Sequence, residues 1–586
     1  MDRITEGKIT SISGPVVFAD LPGARMRDLV KIGVSELIGE IIEIRREQVV
    51  IQVFEDTLGL KPGERVFSTR YPLSVELGPG MIGKTFDGIQ RPLQVYHEQS
   101  AFISPIIGVT ALDRAREWEF TPLVDPGTSV RENSIIGTVF ETHLITAKIL
   151  IPKGIIGTIK SIMDKGLYRL EDVVAEVDTG SGVIPVKMYQ VWPIRKPRGF
   201  IRRLFSNDQL ITGTRVLDFL FPLKRGGVAA IPGGFGAGKT MLQHSLAKWI
   251  SADLIIYVGC GERGNEMTQV LEEFPELIDP RSGRPLIERT ILIANTSNMP
   301  VTARESSIYT GITIAEYFRD MGYDVAVMAD STSRWAEALR EISGRLEEIP
   351  AEEGFPSYLA SRLAEFYERA GLMEVYPDRF GSITAIGAVS PQGGDFSEPV
   401  TQNTKRFIRA FWALDKNLAG GRHFPAISWL DSYSEYVEEV KDWWLTNYDK
   451  DWYSYRVRAM EIFQKDQKLQ QIVKLVGQDA LPDDERLLLL ISDLLKVAFL
   501  QQNAFDAVDM YCSPDKQIKM FELILFFYTE SEKSLQDGVP FQQIQGMEVL
   551  GSLKRMKLEY PNDRVSGLDD LLNKMKEDFQ NLKEFG

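Results

Sequence analysis

One eight-residue segment constrains the fold of this chain more than any other feature. Its sequence, Gly233-Gly-Phe-Gly-Ala-Gly-Lys-Thr240, has the spacing G-x-x-x-x-G-K-[ST]. It follows a short apolar run, Val228–Ile231, and opens a helical pattern, Met241–Ile250. Glycines let successive backbone N–H groups turn inward around phosphates, and the following helix N-terminus adds a positive partial charge. The segment therefore predicts a strand–loop–helix unit that cradles a triphosphate.

Two side chains of this loop have separate predicted roles. Lys239 can reach the β- and γ-phosphates, and the Thr240 hydroxyl can ligate Mg²⁺. The alternatives are a flexible glycine-rich turn and a Rossmann dinucleotide site, but a lysine followed by a hydroxyl fits a triphosphate–Mg²⁺ complex better. The predicted nucleotide-binding residues of the loop are Gly233, Gly234, Phe235, Gly236, Ala237, Gly238, Lys239 and Thr240.

An acidic residue, Asp330, ends the apolar run Val325–Ala329. A carboxylate at that point would face the phosphate loop from a neighbouring strand and hold the Mg²⁺ shell, as a Walker B acid does. The alternative is an N-cap for the following helix, which Ser331 or Ser333 could supply as well. We predict a metal site made by Thr240 and Asp330.

A second carboxylate, Glu262, lies just beyond another apolar run, in Gly259-Cys-Gly-Glu-Arg-Gly-Asn265. Ligands bind at the carboxyl edge of parallel sheets, where a carboxylate can polarise the water that attacks a γ-phosphorus. The adjacent Arg263 could brace Glu262 or meet phosphate oxygens. By spacing alone, an ion pair in a surface loop explains these two residues equally well.

The chain divides into regions of different character. Residues 1–70 show short strands and a hairpin pattern, which predict a small antiparallel barrel or sandwich. Residues 71–115 are expected to be a Gly/Pro-rich linker and the start of the nucleotide domain, and residues 116–190 a separate β-rich insertion. Residues 191–435 alternate apolar strands with helical patterns, which predicts a mostly parallel α/β domain. Its expected strands include Leu254–Gly259, Thr290–Ala294, Asp324–Ala329 and Ser382–Ala388.

Residues 436–586 are expected to form a helical domain. Glycine and proline are sparse near this end, and helical spacing extends over Met460–Val476 and Asp484–Ala504. The predicted fold is therefore multidomain, in the order β, β, α/β, α.

Composition excludes several classes of function. With 67 Lys and Arg against 82 Asp and Glu, the net charge of −15 gives no global field that attracts nucleic acid. Two cysteines and four histidines make neither a disulfide framework nor a zinc or histidine-based metal site. No secretory signal is expected, and no uninterrupted apolar stretch approaches the roughly 20 residues that span a bilayer. Any membrane role is expected to be indirect.

Seven long motifs together are similar to one known family. They are ELGPGMIGKTFDGIQRPL (76–93), GGFGAGKT (233–240), GCGERGNEMT (259–268), ANTSNMPVTARE (294–305), MADSTSRWAEALRE (328–341), SPQGGDFSEPVTQ (390–402) and LQQNAFDAVD (500–509). The chain closely resembles the catalytic A (alpha) subunit of the archaeal and bacterial V/A-type rotary ATPases and ATP synthases. The resemblance covers essentially the whole chain.

The resemblance implies a fold, an activity and partners. The fold would be an N-terminal β-barrel, a protruding β-rich insertion, a RecA-like P-loop domain and a C-terminal helical domain. The activity would be Mg²⁺-dependent ATP hydrolysis or synthesis, coupled to H⁺ or Na⁺ transport. The implied partners are B subunits in an A3B3 head, a central rotor shaft, peripheral stator stalks and, indirectly, a membrane sector. The implied location is peripheral, on the cytoplasmic face of the membrane.

The resemblance also implies roles for single residues. Lys239, Thr240 and Asp330 correspond to the phosphate and Mg²⁺ contacts, and Glu262 to the carboxylate that polarises water. The implied basic residues of the catalytic site are Arg263 and Arg334, and the implied adenine pocket is made by Phe424, Gln502 and Phe505. An aromatic face can stack a base, although both phenylalanines could equally pack in a core. The family takes its arginine finger from the neighbouring B subunit, so the isolated chain is expected to hydrolyse ATP poorly.

Two positions depart from relatives. Ala237 stands where eukaryotic vacuolar relatives carry a regulatory cysteine, so redox control of the loop is not expected. Cys260 is near the site in sequence, but a small buried residue is its expected role. Gly234 stands where close relatives commonly have proline.

Three other functions remain open at this stage. A related motor, either an F-type β subunit or an export ATPase, would share the phosphate loop but lack the 116–190 insertion in this form. A nucleotide-binding regulator without turnover would not need Glu262. A scaffold would use residues 116–190 mainly as a docking module.

Overall fold

The computed structural model describes residues 5–46, 48–93, 110–279 and 282–584. Residues 94–109 of the expected linker, and Glu47 in the expected hairpin turn, lie outside the described residues. The order β, β, α/β, α is confirmed.

Six strands close an antiparallel barrel near the N-terminus, in the order β1-β2-β5-β4-β3-β6. They are β1 (Thr5–Ser13), β2 (Val16–Asp20), β3 (Asp28–Ile32), β4 (Leu37–Arg45), β5 (Gln48–Val53) and β6 (Arg65–Pro72). The predicted hairpin is β4–β5, in which Ile41 lies opposite Ile51, and both side chains are fully buried inside the barrel. Closure leaves no free sheet edge for aggregation.

Two short strands follow the barrel, β7 (Ser74–Leu77) and β8 (Thr85–Phe86). The insertion then folds as two four-stranded antiparallel sheets, in the orders β10-β13-β15-β16 and β12-β11-β9-β14. Its strands are β9 (Glu117–Pro122), β10 (Ser129–Val130), β11 (Ile135–Phe140), β12 (Thr146–Leu150), β13 (Gly157–Ile162), β14 (Gly166–Arg169), β15 (Val173–Asp178) and β16 (Val183–Lys187). The chain leaves the insertion through β17 (Gln190–Pro193), which pairs with β7, and β18 (Arg202–Leu204). The insertion packs against the α/β domain: Lys148 Nζ donates to the Met321 carbonyl at 2.7 Å.

The α/β domain is built on a mostly parallel sheet with the order β26-β25-β19-β24-β22-β20-β21-β8. Its further strands are β19 (Val228–Pro232), β20 (Leu254–Glu262), β21 (Thr290–Thr296), β22 (Asp324–Asp330), β23 (Gly371–Tyr376), β24 (Arg379–Val389), β25 (Ala410–Phe411) and β26 (Tyr433–Ser434). The pairs from β8 to β25 along this order are parallel, β26 pairs antiparallel with β25, and β23 joins β24 to β18 antiparallel. All four strands expected here are confirmed.

Helices cover both faces of this sheet. They are α1 (Lys239–Trp249), α2 (Gly264–Glu276), α3 (Val301–Asp320), α4 (Thr332–Arg345), α5 (Leu359–Tyr367), α6 (Pro399–Lys405) and α7 (Lys416–Gly420). A π-helical turn spans Val216–Leu220, and 3₁₀ turns span Leu286–Arg289, Glu352–Gly354 and Gln392–Gly394.

The C-terminal region is helical, as expected. Its helices are α8 (Val437–Asn447), α9 (Trp452–Val476), α10 (Asp483–Leu494), α11 (Pro514–Gln536), α12 (Phe541–Gln545), α13 (Val549–Glu559) and α14 (Gly567–Glu584), with a 3₁₀ turn at Gln478–Ala480. It shares a core with the α/β domain, since the Phe219 ring lies 5.0 Å from Phe499 and 4.7 Å from Phe521, centroid to centroid.

One helical segment at this end stops four residues earlier than expected. The expected helix Asp484–Ala504 is α10 followed by a π-helical turn, Leu495–Leu500, and the chain is non-helical from Gln501 onward. The carbonyls of Phe499 and Gln501 accept hydrogen bonds from the buried Arg215 side chain, a distant partner that the spacing of apolar residues does not report.

Candidate nucleotide-binding site

The phosphate loop connects β19 to α1, as its sequence predicts. Gly236 and Gly238 have φ values of 78° and 90°, a region that favours glycine, and Gly238 immediately precedes α1. Gly233 is required for space, because a Cβ there would lie 2.8 Å from Leu414 Cβ. The loop therefore keeps its curvature only with small residues at these positions.

Lys239 is held against its own loop. Its Nζ donates hydrogen bonds to the carbonyls of Gly233, at 2.7 Å, and Gly234, at 3.2 Å. Partial burial lowers the Lys239 pKa, and the carboxylates of Asp330 and Glu262 oppose that shift. The Lys239 ammonium therefore interacts electrostatically with both carboxylates, those of Asp330 and Glu262.

Asp330 and Glu262 end two neighbouring parallel strands, β22 and β20. In the register of these strands Asp330 lies opposite Gly259, so both carboxylates reach the carboxyl edge of the sheet. Asp330 is 3% exposed and accepts a hydrogen bond from the Tyr257 hydroxyl at 2.9 Å. Burial raises the Asp330 pKa, while Tyr257 and Lys239 act in the opposite direction.

Glu262 is part of its strand rather than beyond it, because β20 continues through an irregularity between Cys260 and Glu262. Gly261 makes this possible with a φ of 87°. Burial raises the Glu262 pKa most, and the neighbouring carboxylates of Asp330 and Glu266 raise it further. A carboxyl group with a raised pKa is a good proton acceptor from water.

Glu266, which the sequence reasoning did not single out, lies in the first turn of α2 and faces the same cavity. The sequence did contain a signal for it: Glu266 comes four residues after Glu262, in the first turn of the helix that follows β20, where a negative charge is favourable. With Asp330 and Glu262, it is the third carboxylate that acts on the Lys239 ammonium.

These side chains line one cavity of about 490 Å³. The predicted residues that it brings together are Phe235, Gly236, Gly238, Lys239, Thr240, Glu262, Arg263, Asp330 and Arg334. The Arg263 guanidinium lies 4.8 Å from the centre of the Phe235 ring, and Arg334 forms an ion pair with Glu337 at 2.9 Å. The sequence left Arg263 open between bracing Glu262, meeting phosphate oxygens and an ion pair in a surface loop; the contact that the structure gives its guanidinium is with the Phe235 ring.

A second, largely apolar cavity of about 180 Å³ adjoins the first, and Gly238 and Met241 line both. Phe424, Gln502 and Phe505 meet in its wall. The Phe424 and Phe505 side chains are 44% and 83% exposed, so neither packs in a core. Apolar walls with exposed rings suit a stacked base.

Gln502 differs from its two aromatic neighbours because its amide is already engaged. Its Oε1 accepts from the Arg215 N–H at 2.9 Å, and its Nε2 donates to the carbonyls of Gly213 and Asp509. The Gln502 side chain therefore holds the pocket wall together instead of presenting free polar atoms to a base.

The donor set for a metal is oxygen alone. Thr240 supplies a hydroxyl and Asp330 a carboxylate in the same cavity, which suits Mg²⁺ completed by phosphate oxygens and water. Across the part of the chain that the structure describes, no three His, Cys, Asp or Glu side chains cluster as a metal site of their own.

Comparison with known proteins accounts for nearly the whole chain. Models of the ATP synthase alpha/beta family match its beta-barrel domain over residues 9–70, its barrel-sandwich domain over 109–195 and its nucleotide-binding domain over 213–434. The C-terminal domain of V and A type ATP synthase matches residues 441–545.

Curated relatives match from end to end. The A subunit of the A-type ATP synthase of Methanopyrus kandleri is 54% identical over 100% of both chains. The V-type ATP synthase alpha chain of Halothermothrix orenii is also 54% identical, over 100% of this chain and 99% of its own. The chain belongs to this A-subunit family. The A subunit of the A-type ATP synthase of Thermococcus sibiricus, 54% identical over 99% of this chain and all of its own, is a further relative.

The export-motor and F-type β alternatives are not favoured. The assembled ATPase EscN from the enteropathogenic E. coli type III secretion system shares the fold, with a TM-score of 0.64 over 88% of this chain and 99% of that one. Its sequence identity is only 23%. The A-subunit relatives are more than twice as similar and extend over the full length.

Cys260 fits the buried role expected for it in this A-subunit family member. The thiol is fully buried, and burial raises its pKa to about 12, so the reactive thiolate is scarce. Ala237 of the phosphate loop is also buried. Among the described residues, none of the helices combines the length and apolar character that crossing a bilayer requires.

Proposed function

We propose that this chain holds the catalytic site of an ion-translocating rotary ATP synthase and hydrolyses or forms ATP on its 233–240 loop. One observation carries the proposal: Glu262 and Asp330 end adjacent strands and line one cavity with Lys239. The full-length identity of 54% to A-type and V-type relatives supports it. A regulator without turnover would not need three carboxylates around a phosphate loop.

In this proposal the two adjoining cavities divide the nucleotide between them. The phosphates would be bound by the N–H groups of the loop. The Lys239 ammonium would then leave the Gly233 carbonyl and donate to the β- and γ-phosphate oxygens instead. The base lies between Phe424 and Phe505, next to Met241. The phosphoryl group to be transferred then sits below Glu262, at the carboxyl edge of the sheet.

Thr240 and Asp330 would hold Mg²⁺, which neutralises charge on the phosphate oxygens when it is bound. The Asp330 carboxylate is already oriented by Tyr257, so it loses little freedom on meeting a cation. Glu266 adds negative charge to the same cavity wall.

Glu262 would orient and polarise the attacking water and take its proton; in synthesis, the reverse reaction, it would return a proton to the oxygen that leaves as water. Its raised pKa favours taking a proton, and the cation that arrives with the substrate favours the ionised carboxylate. Arg263 and Arg334 line the cavity as counter-charges for the phosphates.

We further propose the family's assembly for this chain. B subunits in an A3B3 head would supply the arginine finger, a rotor shaft would contact the C-terminal helices, and stator stalks would dock on residues 116–190. Coupling to the membrane sector would be indirect, from the cytoplasmic face. No nucleic-acid partner is proposed, because the net charge is −15.

The test is Glu262→Gln in the assembled head. We expect Mg·ATP binding to remain within about twofold, while hydrolysis falls by about 10²–10⁴, the usual contribution of a general base. Glu272→Gln, an exposed change on α2, is the matched control and should leave both unchanged. Unchanged turnover in Glu262→Gln would contradict the assigned role and favour a different catalytic carboxylate.

A further inference from the structure

Arg215 is a fully buried arginine, and its hydrogen bonds converge on the segment that forms the base pocket. Its Nη1 forms an ion pair with Asp509 Oδ1 at 2.7 Å, and both side chains are completely shielded from solvent. Its Nη2 donates to the Gln501 carbonyl at 2.7 Å, and its Nε donates to the Phe499 carbonyl. Its backbone N–H donates to Gln502 Oε1. One residue thus contacts four positions between 499 and 509.

Asp509 passes this restraint on to the wall of the pocket. Its Oδ2 accepts from the Asn503 N–H at 2.7 Å, and its carbonyl accepts from Gln502 Nε2 at 2.8 Å. The Asn503 side chain in turn accepts from the Phe505 N–H at 3.0 Å. A continuous chain of hydrogen bonds therefore runs from Arg215 to the residue that carries the exposed Phe505 ring.

Arg215 itself is fixed on the side of the nucleotide domain. It immediately precedes the π-helical turn Val216–Leu220, whose Asp218 accepts hydrogen bonds from the N–H groups of Thr212 and Gly213. Gln517 of α11 also donates to Asp218. Arg215 is therefore held in a fixed position between the phosphate-loop domain and the C-terminal helices.

A lysine could not make the same contacts as Arg215. The planar guanidinium donates in three fixed directions here, whereas an ammonium is a compact point charge on a flexible stem. Buried acceptors left without their donor are costly, so the segment 499–509 would shift to satisfy them. Tyr511, stacked on Trp249 at the end of α1 with ring centroids 4.8 Å apart, would still anchor the far end of the segment. The expected change is displacement of the pocket wall rather than loss of the fold.

We propose that Arg215, through Asp509, is a positioning residue for the base half of the nucleotide site. It sets the distance between Phe505 and Phe424 and so determines how much binding energy the base contributes, without touching the phosphates. The inference rests on the proposed function, because it assumes that the cavity lined by these rings accepts a base.

The experiment compares two probes on the full-length chain: Mg·ATP, which has a base, and Mg·tripolyphosphate, which has none. For Arg215→Lys we expect affinity for Mg·ATP to fall about 10-fold or more, and affinity for Mg·tripolyphosphate to change less than twofold. Asp509→Asn should act in the same direction, and it keeps the side-chain volume if the arginine variant does not fold. In the assembled head, both variants should raise KM for ATP more than they lower kcat.

Arg198→Lys is the matched control. Arg198 and Asp320 form another completely buried pair at 2.7 Å, between the 190s segment and α3. This change should leave the ratio of the two affinities unaltered. Equal losses for both probes in Arg215→Lys and Asp509→Asn, or the same altered ratio in Arg198→Lys, would overturn the positioning role. A wild-type chain that binds neither probe would instead contradict the proposed function.

Discussion

The Tyr257 hydroxyl lies 2.9 Å from the Asp330 carboxylate and donates a hydrogen bond to it. The two residues stand on adjacent strands, β20 and β22, and both are almost completely buried. Burial works against the ionised form of Asp330, and Tyr257 compensates in part by lowering the pKa of this carboxyl group. The tyrosine thus supports the anion that the proposed metal site needs, although it does not itself line the cavity.

Tyr257→Phe should therefore weaken the metal site while leaving the fold intact. A hydrogen bond to a charged group contributes about 1.5–3 kcal/mol, so the half-saturating Mg²⁺ concentration for ATP hydrolysis should rise about 10-fold or more. The measurement is a Mg²⁺ titration of activity in the assembled head. Tyr309→Phe is the control, because Tyr309 is also buried and donates to a carboxylate, that of Glu365, at 3.1 Å. An unchanged Mg²⁺ requirement in Tyr257→Phe would refute the support role.

The first two glycines of the phosphate loop should respond differently to alanine. At Gly233 an added Cβ would lie 2.8 Å from Leu414 Cβ, whereas at Gly234 the nearest atom, Gly394 Cα, is at 3.6 Å, an ordinary contact. Overpacking typically costs about 1–3 kcal/mol, so Gly233→Ala should weaken nucleotide binding about 10-fold. Gly234→Ala should change it less than twofold. Equal effects in a binding titration would mean that flexibility, not space, sets the requirement.

The main elements of this site could be predicted from sequence because they are local. A strand followed by a glycine-rich loop, or an apolar run ending in Asp330, encodes its own geometry within about ten residues. The contacts of Gln502 could not be predicted, since its Arg215 partner lies 287 residues away in the sequence. Arg215 also donates to the carbonyls of Phe499 and Gln501, where the expected helix ends before Ala504. Periodicity reports which side chains are apolar, but not where a backbone carbonyl finds its donor.

Glu141 should make the stability of the protein depend on pH. Its Oε1 accepts from the N–H groups of Gly80, at 2.8 Å, and Ile82, at 3.2 Å, and Oε2 has no hydrogen-bond partner among the described residues. Burial raises the pKa of this carboxyl group from 4.5 to about 7. A group with a raised folded-state pKa stabilises the fold fully below pH 4.5, and that contribution is lost as the pH rises through about 7.

Glu141→Gln keeps the acceptor and removes the titration. At pH 8 the variant should be more stable than the wild type, by up to about 3 kcal/mol, and near pH 4.5 the difference should vanish. Urea unfolding midpoints at both pH values measure this. Glu119→Gln, at an exposed position of the same insertion, is the control for exchanging a carboxylate for an amide. A constant difference between Glu141→Gln and wild type at all pH values would exclude the linkage.

The two arginines of the cavity predict how the isolated chain behaves. Arg263 is stacked on Phe235, and Arg334 is paired with Glu337, so each already has a partner within the chain. If the charge that stabilises the transition state comes from a neighbouring subunit, the isolated chain should bind Mg·ATP yet turn it over about 10³–10⁵ times more slowly than the assembled head. Parallel binding and single-turnover measurements on both forms separate affinity from chemistry.

Equal turnover rates would show that Arg263 or Arg334 leaves its partner and supplies the charge in cis. In that case Arg334→Ala should reduce hydrolysis by the isolated chain as much as by the head, whereas a role confined to binding would appear in KM alone.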